Sequence, residues 1–153
     1  MRTFQPSMVI EDSNERPIAV VEVTSLSEMI LDDALEIRES MLERGLPDHI
    51  PYFLLVSQDI GFLWKDDPSL KVDSPPNEVF SMENIMKRYS LRKPEQRLYV
   101  EELEYVVLHW LMNLSSKPQE MDNEPEKTLV RTGFTDTIKG AMVLIGEKLW
   151  LSM

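Results

Sequence analysis

The stretch Pro17-Ile18-Ala19-Val20-Val21-Glu22-Val23-Thr24 carries a single carboxylate in an otherwise apolar run. Moving a charged carboxylate out of water is costly unless something compensates it. Glu22 therefore needs a partner, a metal ion or an exposed strand end. Thr24 stands two residues further on, so on a strand the two side chains share a face. An earlier stretch, Pro6-Ser7-Met8-Val9-Ile10-Glu11, also has strand character, and the polar Asp12-Ser13-Asn14-Glu15-Arg16 joins the two. Ser7 on the neighbouring strand then comes within reach of the face that carries Glu22 and Thr24. One carboxylate alone binds magnesium weakly, because that ion dehydrates reluctantly.

A second group of chemistry-bearing side chains is basic. Lys87, Arg88, Arg92, Lys93 and Arg97 lie close together with Tyr89 among them. One reading is a nucleic-acid-binding patch that contacts phosphates and offers an aromatic ring for stacking. The other is a solvated helix end whose cations favour the negative end of the helix dipole. The net charge of −11 favours the second reading. His49 and His109 are the only histidines, and there is no cysteine. Thiolate chemistry, disulfides and a structural zinc site therefore have no basis. His109 stands beside Trp110 and reads as a packed or interfacial residue. No Gly-rich phosphate loop, nucleophile elbow or His-Glu-x-x-His motif is present. The ten methionines read as core filler, or as a partner-binding groove.

The pattern predicts the elements that position these groups. The first strand covers about Ser7 to Glu11 and the second about Ile18 to Thr24, with Pro17 where a missing N–H does least harm. Ser25-Leu26-Ser27-Glu28 fits a capping box. Ile30, Ala34, Ile37 and Met41 then recur at helical spacing. Gly45 should end that helix as a left-handed residue, with Pro47 confirming the stop. Tyr52 to Ser57 is a continuous apolar run, as in a strand covered on both faces. Gln58 to Gly61 reads as a turn and Phe62 to Lys65 as the returning strand. Asp66 to Asn77 is a polar loop. Ser81 to Tyr89 reads as a short helix, and Glu95 to Leu114 as a longer one with Val100, Leu103, Val107, Trp110 and Leu114 on one face. Ser115 to Glu126 has the composition of a mobile loop. Phe134 to Lys139 reads as a helical turn and Ala141 to Ile145 as a last strand. Consecutive strands around a crossover helix predict an α/β fold, a mixed central sheet flanked by helices, in a single domain over residues 1–153.

At Pro6-Ser7 and Glu22-Val23-Thr24 the chain resembles the PD-(D/E)xK nuclease superfamily. In that family Pro-Asp starts one strand, Glu-x-Lys lies in the next, and a helix and another strand follow. It is similar in particular to short bacterial members related to the N-terminal nuclease domain of type I restriction subunits. The resemblance covers roughly Pro6 to Lys65. It implies a restriction-endonuclease-like core in which the Asp and Glu hold a divalent metal and the Lys positions or activates water. Here Ser7 stands at the Asp position and Thr24 at the Lys position, which leaves Glu22 alone. The family also has a helix and a strand before Pro-Asp, a place that Phe134 to Ile145 could fill.

Composition bounds the functional expectation. With 42% apolar and 28% charged residues, the chain has the make-up of a soluble globule. No apolar run reaches membrane-spanning length, and the N-terminal residues lack the apolar core of a signal peptide. A cytoplasmic protein is the simplest reading. The resemblance implies a catalytically inactive relative of these nucleases that acts as a binding or interaction module. The alternative is a weak or unconventional divalent-metal-dependent nuclease built around Glu22. The first needs no cofactor, whereas the second needs magnesium or manganese. Partners would be a protein, a weak nucleic-acid contact or a second copy in a homodimer.

Overall fold

The computed structural model describes residues 3–47, 49–93, 96–116, 123–146 and 149–150. Strands β1 (Thr3–Phe4), β2 (Met8–Glu11) and β3 (Pro17–Val23) precede helix α1 (Leu31–Glu43). Strands β4 (Tyr52–Val56), β5 (Ile60–Lys65) and β6 (Glu78–Ser81) follow, then α2 (Glu83–Tyr89) and α3 (Val100–Ser116). Helices α4 (Glu126–Arg131) and α5 (Phe134–Ile138) lead to β7 (Met142–Ile145) and β8 (Leu149–Trp150). Six strands form one sheet in the order β6-β5-β4-β3-β2-β7, and β1 pairs with β8 in a separate two-stranded sheet. Only β3 and β4 run parallel, because α1 carries the chain across between them; every other pairing is antiparallel. The fold is thus α/β with a mixed sheet flanked by helices.

Side-chain alternation divides the core into two layers. Val9, Val20, Phe53, Leu55, Phe62 and Trp64 pack against Ala34 and Met41 of α1. On the opposite face Met8, Ile10, Ala19, Val21, Leu54 and Leu63 meet α3, through Leu103, Val107, Trp110 and Leu114, and α5, through Phe134 and Ile138. All five residues of β4 are buried, as the unbroken apolar run required.

The end of α1 follows from local chemistry. Gly45 takes φ of 116°, its N–H donates to Leu42 O, and the Leu46 N–H donates to Met41 O. These two bonds are a Schellman ending, with Leu46 buried beneath it. The start of the helix differs from the sequence expectation. The capping box at Ser25 and Glu28 does not form; the helix begins at Leu31. There the Asp33 carboxylate accepts the Ile30 N–H at 3.0 Å, the role expected of Glu28. Glu28 instead adopts a left-handed φ of 53°.

Other boundaries move for physical reasons. Gly61 belongs to β5 rather than to a turn, and a Cβ there would lie 2.3 Å from the Phe80 ring. The turn itself is built on Ser57, whose Oγ accepts the N–H groups of Asp59 and Ile60. Strand β6 occupies the start of the segment expected to be helical, and α2 begins only at Glu83. Helix α3 starts at Val100, because the Leu98 N–H is held by Gln58 Oε1 at 2.8 Å and the Tyr99 N–H by Glu102 Oε1 at 3.1 Å. Of the expected mobile loop, Ser115 and Ser116 complete α3 and Glu126 opens α4; residues 117–122 lie outside the described residues. Strand β7 forms beside β2 and is tied to the end of α3. Gly140 N–H donates to Ser115 O at 2.8 Å, and Ser115 Oγ donates to Ala141 O.

Loop 66–77 lies over the α1 face and is pinned from below. Trp64 Nε1 donates to Ser74 O at 2.9 Å, and Arg38 Nη1 donates to Lys71 O and Val72 O at 3.0 Å each. Arg38 thus faces the sheet from α1, buried, with its guanidinium 5.4 Å from the Trp64 ring centroid.

Candidate functional site

Strands β2 and β3 pair with Met8 opposite Val21 and Val9 opposite Val20, so Ser7 falls opposite Glu22. Both side chains take the α1 side of the sheet, the side of Val9 and Val20. The Ser7 N–H donates to Glu22 Oε1 at 2.9 Å, and Ser7 Oγ donates to the same oxygen at 2.8 Å. Ser7 Oγ in turn accepts the Val23 N–H at 3.0 Å. The apolar run keeps its carboxylate because a serine supplies two donors to one oxygen at the half-buried end of the strand.

Thr24 does not join this group. Its N–H donates to Val56 O at 2.9 Å, and its Oγ1 accepts the Leu26 N–H at 3.2 Å, so the hydroxyl serves the connection to α1. The structure therefore brings Ser7 and Glu22 into contact and turns Thr24 to the backbone beyond them. A residue missed from sequence lies nearby on α3. Burial, with the charges of Glu101 and Glu22 adding to it, holds the Glu104 carboxyl above its ordinary range. No local signal marks Glu104, because its relation to Glu22 exists only once α3 packs on the sheet.

Oε1 of Glu22 already accepts two hydrogen bonds, and the Ser7 proton points at that oxygen. Among the described residues no three His, Asp or Glu side chains are arranged to hold a metal ion.

The basic cluster is distributed among ion pairs. Lys87 meets Glu83 at 3.1 Å, Arg92 meets Glu102 at 2.6 Å and Arg97 meets Asp59 at 2.8 Å. Arg88 reaches further in, to Glu126 at 2.8 Å, and Glu126 is fully buried. Trp110 Nε1 also donates to Glu126, at 3.2 Å. Tyr89 lies against His109, with ring centroids 5.4 Å apart and planes tilted by 48°, rather than standing open for a base. Lys93 has no carboxylate partner among the described residues.

Comparison with protein-family models, with curated proteins and with solved structures gave no match. Among the described residues no helix is long and apolar enough to cross a membrane.

Proposed function

We propose that the chain is a catalytically inactive relative of the PD-(D/E)xK nucleases that acts as a binding or interaction module. The observation that carries this reading is the pairing of Ser7 with Glu22. On this reading the neutral hydroxyl of Ser7 stands where the resemblance puts the metal-binding aspartate, and what supports it is that this hydroxyl donates to the Glu22 carboxylate. Magnesium and manganese prefer several anionic oxygens, and here one oxygen of a single carboxylate is already in use. The parallel pair β3 and β4 around α1, and the placement of β7 beside β2, are compatible with such a scaffold. Leu26 and Ile30 in the connection beyond Thr24, and Leu31 at the start of α1, expose large apolar side chains. That favours a protein surface over a polyanion as the partner.

Calorimetric titration with manganese tests the reading. The unaltered chain should show no saturable binding in the micromolar range and should not cleave plasmid DNA. The double variant Ser7→Asp with Thr24→Lys should gain saturable manganese binding, because two carboxylates on facing strands replace one. Micromolar affinity in the unaltered chain would sink the inactive-site reading. A double variant that folds and still ignores manganese would remove the nuclease scaffold.

A further inference from the structure

A recess of about 490 Å³ opens between the turn before β5, the end of β6, α2 and the segment after α2. Small-molecule sites occupy roughly 300–1,000 Å³. We infer that this recess is a binding site for a small phosphate monoester. The inference does not rest on the reading of Ser7 and Glu22.

One wall is fixed. Gln58 is buried, and its side chain is consumed at both ends. Nε2 donates to Gln96 O at 2.7 Å, and Oε1 accepts the Leu98 N–H at 2.8 Å. Buried Met86 supplies an apolar surface for the organic part of a ligand. The polar rim is rich in donors. Ser81 Oγ accepts the Glu83 N–H at 3.1 Å, and Ser90 Oγ accepts the Arg92 N–H at 3.2 Å. Each hydroxyl retains its own proton, which has no acceptor among the described residues. Lys87, Arg92 and Lys93 add cations to the same lining.

Charge bookkeeping selects the ligand class. Two carboxylates, Asp59 and Glu83, also line the recess, but each is neutralised, by Arg97 and Lys87 respectively. Arg92 is held by Glu102. Among the described residues Lys93 is left as the lining ammonium without a carboxylate partner. One ammonium and two hydroxyl protons on the same lining, from the end of β6 and from the segment after α2, suit the several oxygens of a phosphate better than a planar carboxylate. A polyanion is disfavoured, because the surrounding surface belongs to a chain of net charge −11.

The test is titration of the isotopically labelled protein with phenyl phosphate, followed by backbone amide shifts. Benzoate and a short oligothymidylate serve as the carboxylate and nucleic-acid arms. Phenyl phosphate should give saturable shifts confined to the β6 end, α2 and residues 90–93. Lys93→Glu should weaken the binding about tenfold or more with no change in melting temperature. Lys93→Arg should retain it. Non-saturating shifts, or equal affinity in Lys93→Glu, would overturn the proposal. So would benzoate binding as tightly as phenyl phosphate, or saturation by the oligothymidylate alone.

Discussion

Glu22 shows how one side chain can be tolerated at the edge of a core. Its Oε1 is satisfied by the amide and the hydroxyl of Ser7, and that pairing was legible in the sequence. Strand parity puts residues 22 and 7 on one face, and a short polar turn fixes the hairpin register. The turn does so through Asp12, whose Oδ1 accepts the N–H groups of Asn14 and Arg16. Glu104 was not legible, because it reaches the neighbourhood of Glu22 from a helix far along the chain. Its carboxyl is held above its ordinary range by burial first, and then by Glu101 and Glu22. The sign of the linkage follows. As pH rises, the unfolded chain ionises at this position before the folded one, so the folded state loses stability across that interval. Below the interval both states are protonated and nothing is lost. Glu104→Gln should therefore raise the melting temperature at neutral pH. The gain should fade below about pH 4, where a free glutamate is itself protonated. Thermal unfolding across that range checks it; a gain that persists in acid would assign the effect to packing instead of charge.

Helices α2, α3 and α4 meet around a buried ion pair that no single segment announces. Glu126 is fully buried at the first residue of α4, and its carboxylate is held by Arg88 of α2 and Trp110 of α3. The Arg88 guanidinium is held above its usual range chiefly by its hydrogen bond to Glu126. Removing the cation leaves a carboxylate sealed from water with only an indole donor. Arg88→Ala should then cost up to about 3–5 kcal/mol. Lys87→Ala, which breaks an exposed pair, should cost about 0–1 kcal/mol. Urea unfolding of both variants separates the cases, and equal losses would reduce Arg88 to a surface residue. The same geometry explains why α4 was hidden. It has six residues, and two of its three buried side chains, Glu126 and Thr128, are polar, so no helical period registers there. Strand β6 was hidden for a related reason: of its four residues only Phe80 is buried, too little for an alternation to register. By contrast the apolar run of β4 and the Gly45 ending of α1 are written in consecutive residues. The long helix was legible through its apolar face, but its first residue was not. That boundary depends on Gln58, which holds the Leu98 N–H from a distant turn.

The six-stranded sheet is closed by its own most distant pairing. Strand β7 lies against β2 in antiparallel register, with Leu144 opposite Val9 and Val143 opposite Ile10. This places the far end of the chain beside the hairpin that carries Ser7 and Glu22. Met8, Val9 and Ile10 are fully buried, so β2 is built as an inner strand with both core layers over it. Without β7 its outer N–H and C=O groups would become an exposed edge of a flat, apolar strand, which invites pairing with another chain. The end of α3 would also lose its anchor, the bond from Ser115 Oγ to Ala141 O. By contrast β7 has exposed side chains at both ends, Met142 and Ile145, as befits an edge. A chain ending at Gly140 should unfold at a lower temperature and associate in a concentration-dependent way. Sedimentation velocity at several concentrations, beside a thermal melt, measures both. If the shortened chain stays monomeric and melts where the full chain does, β7 does not seal the sheet. In that case the Ser7–Glu22 hairpin must be held by β4 and by the helices on the two faces of the sheet.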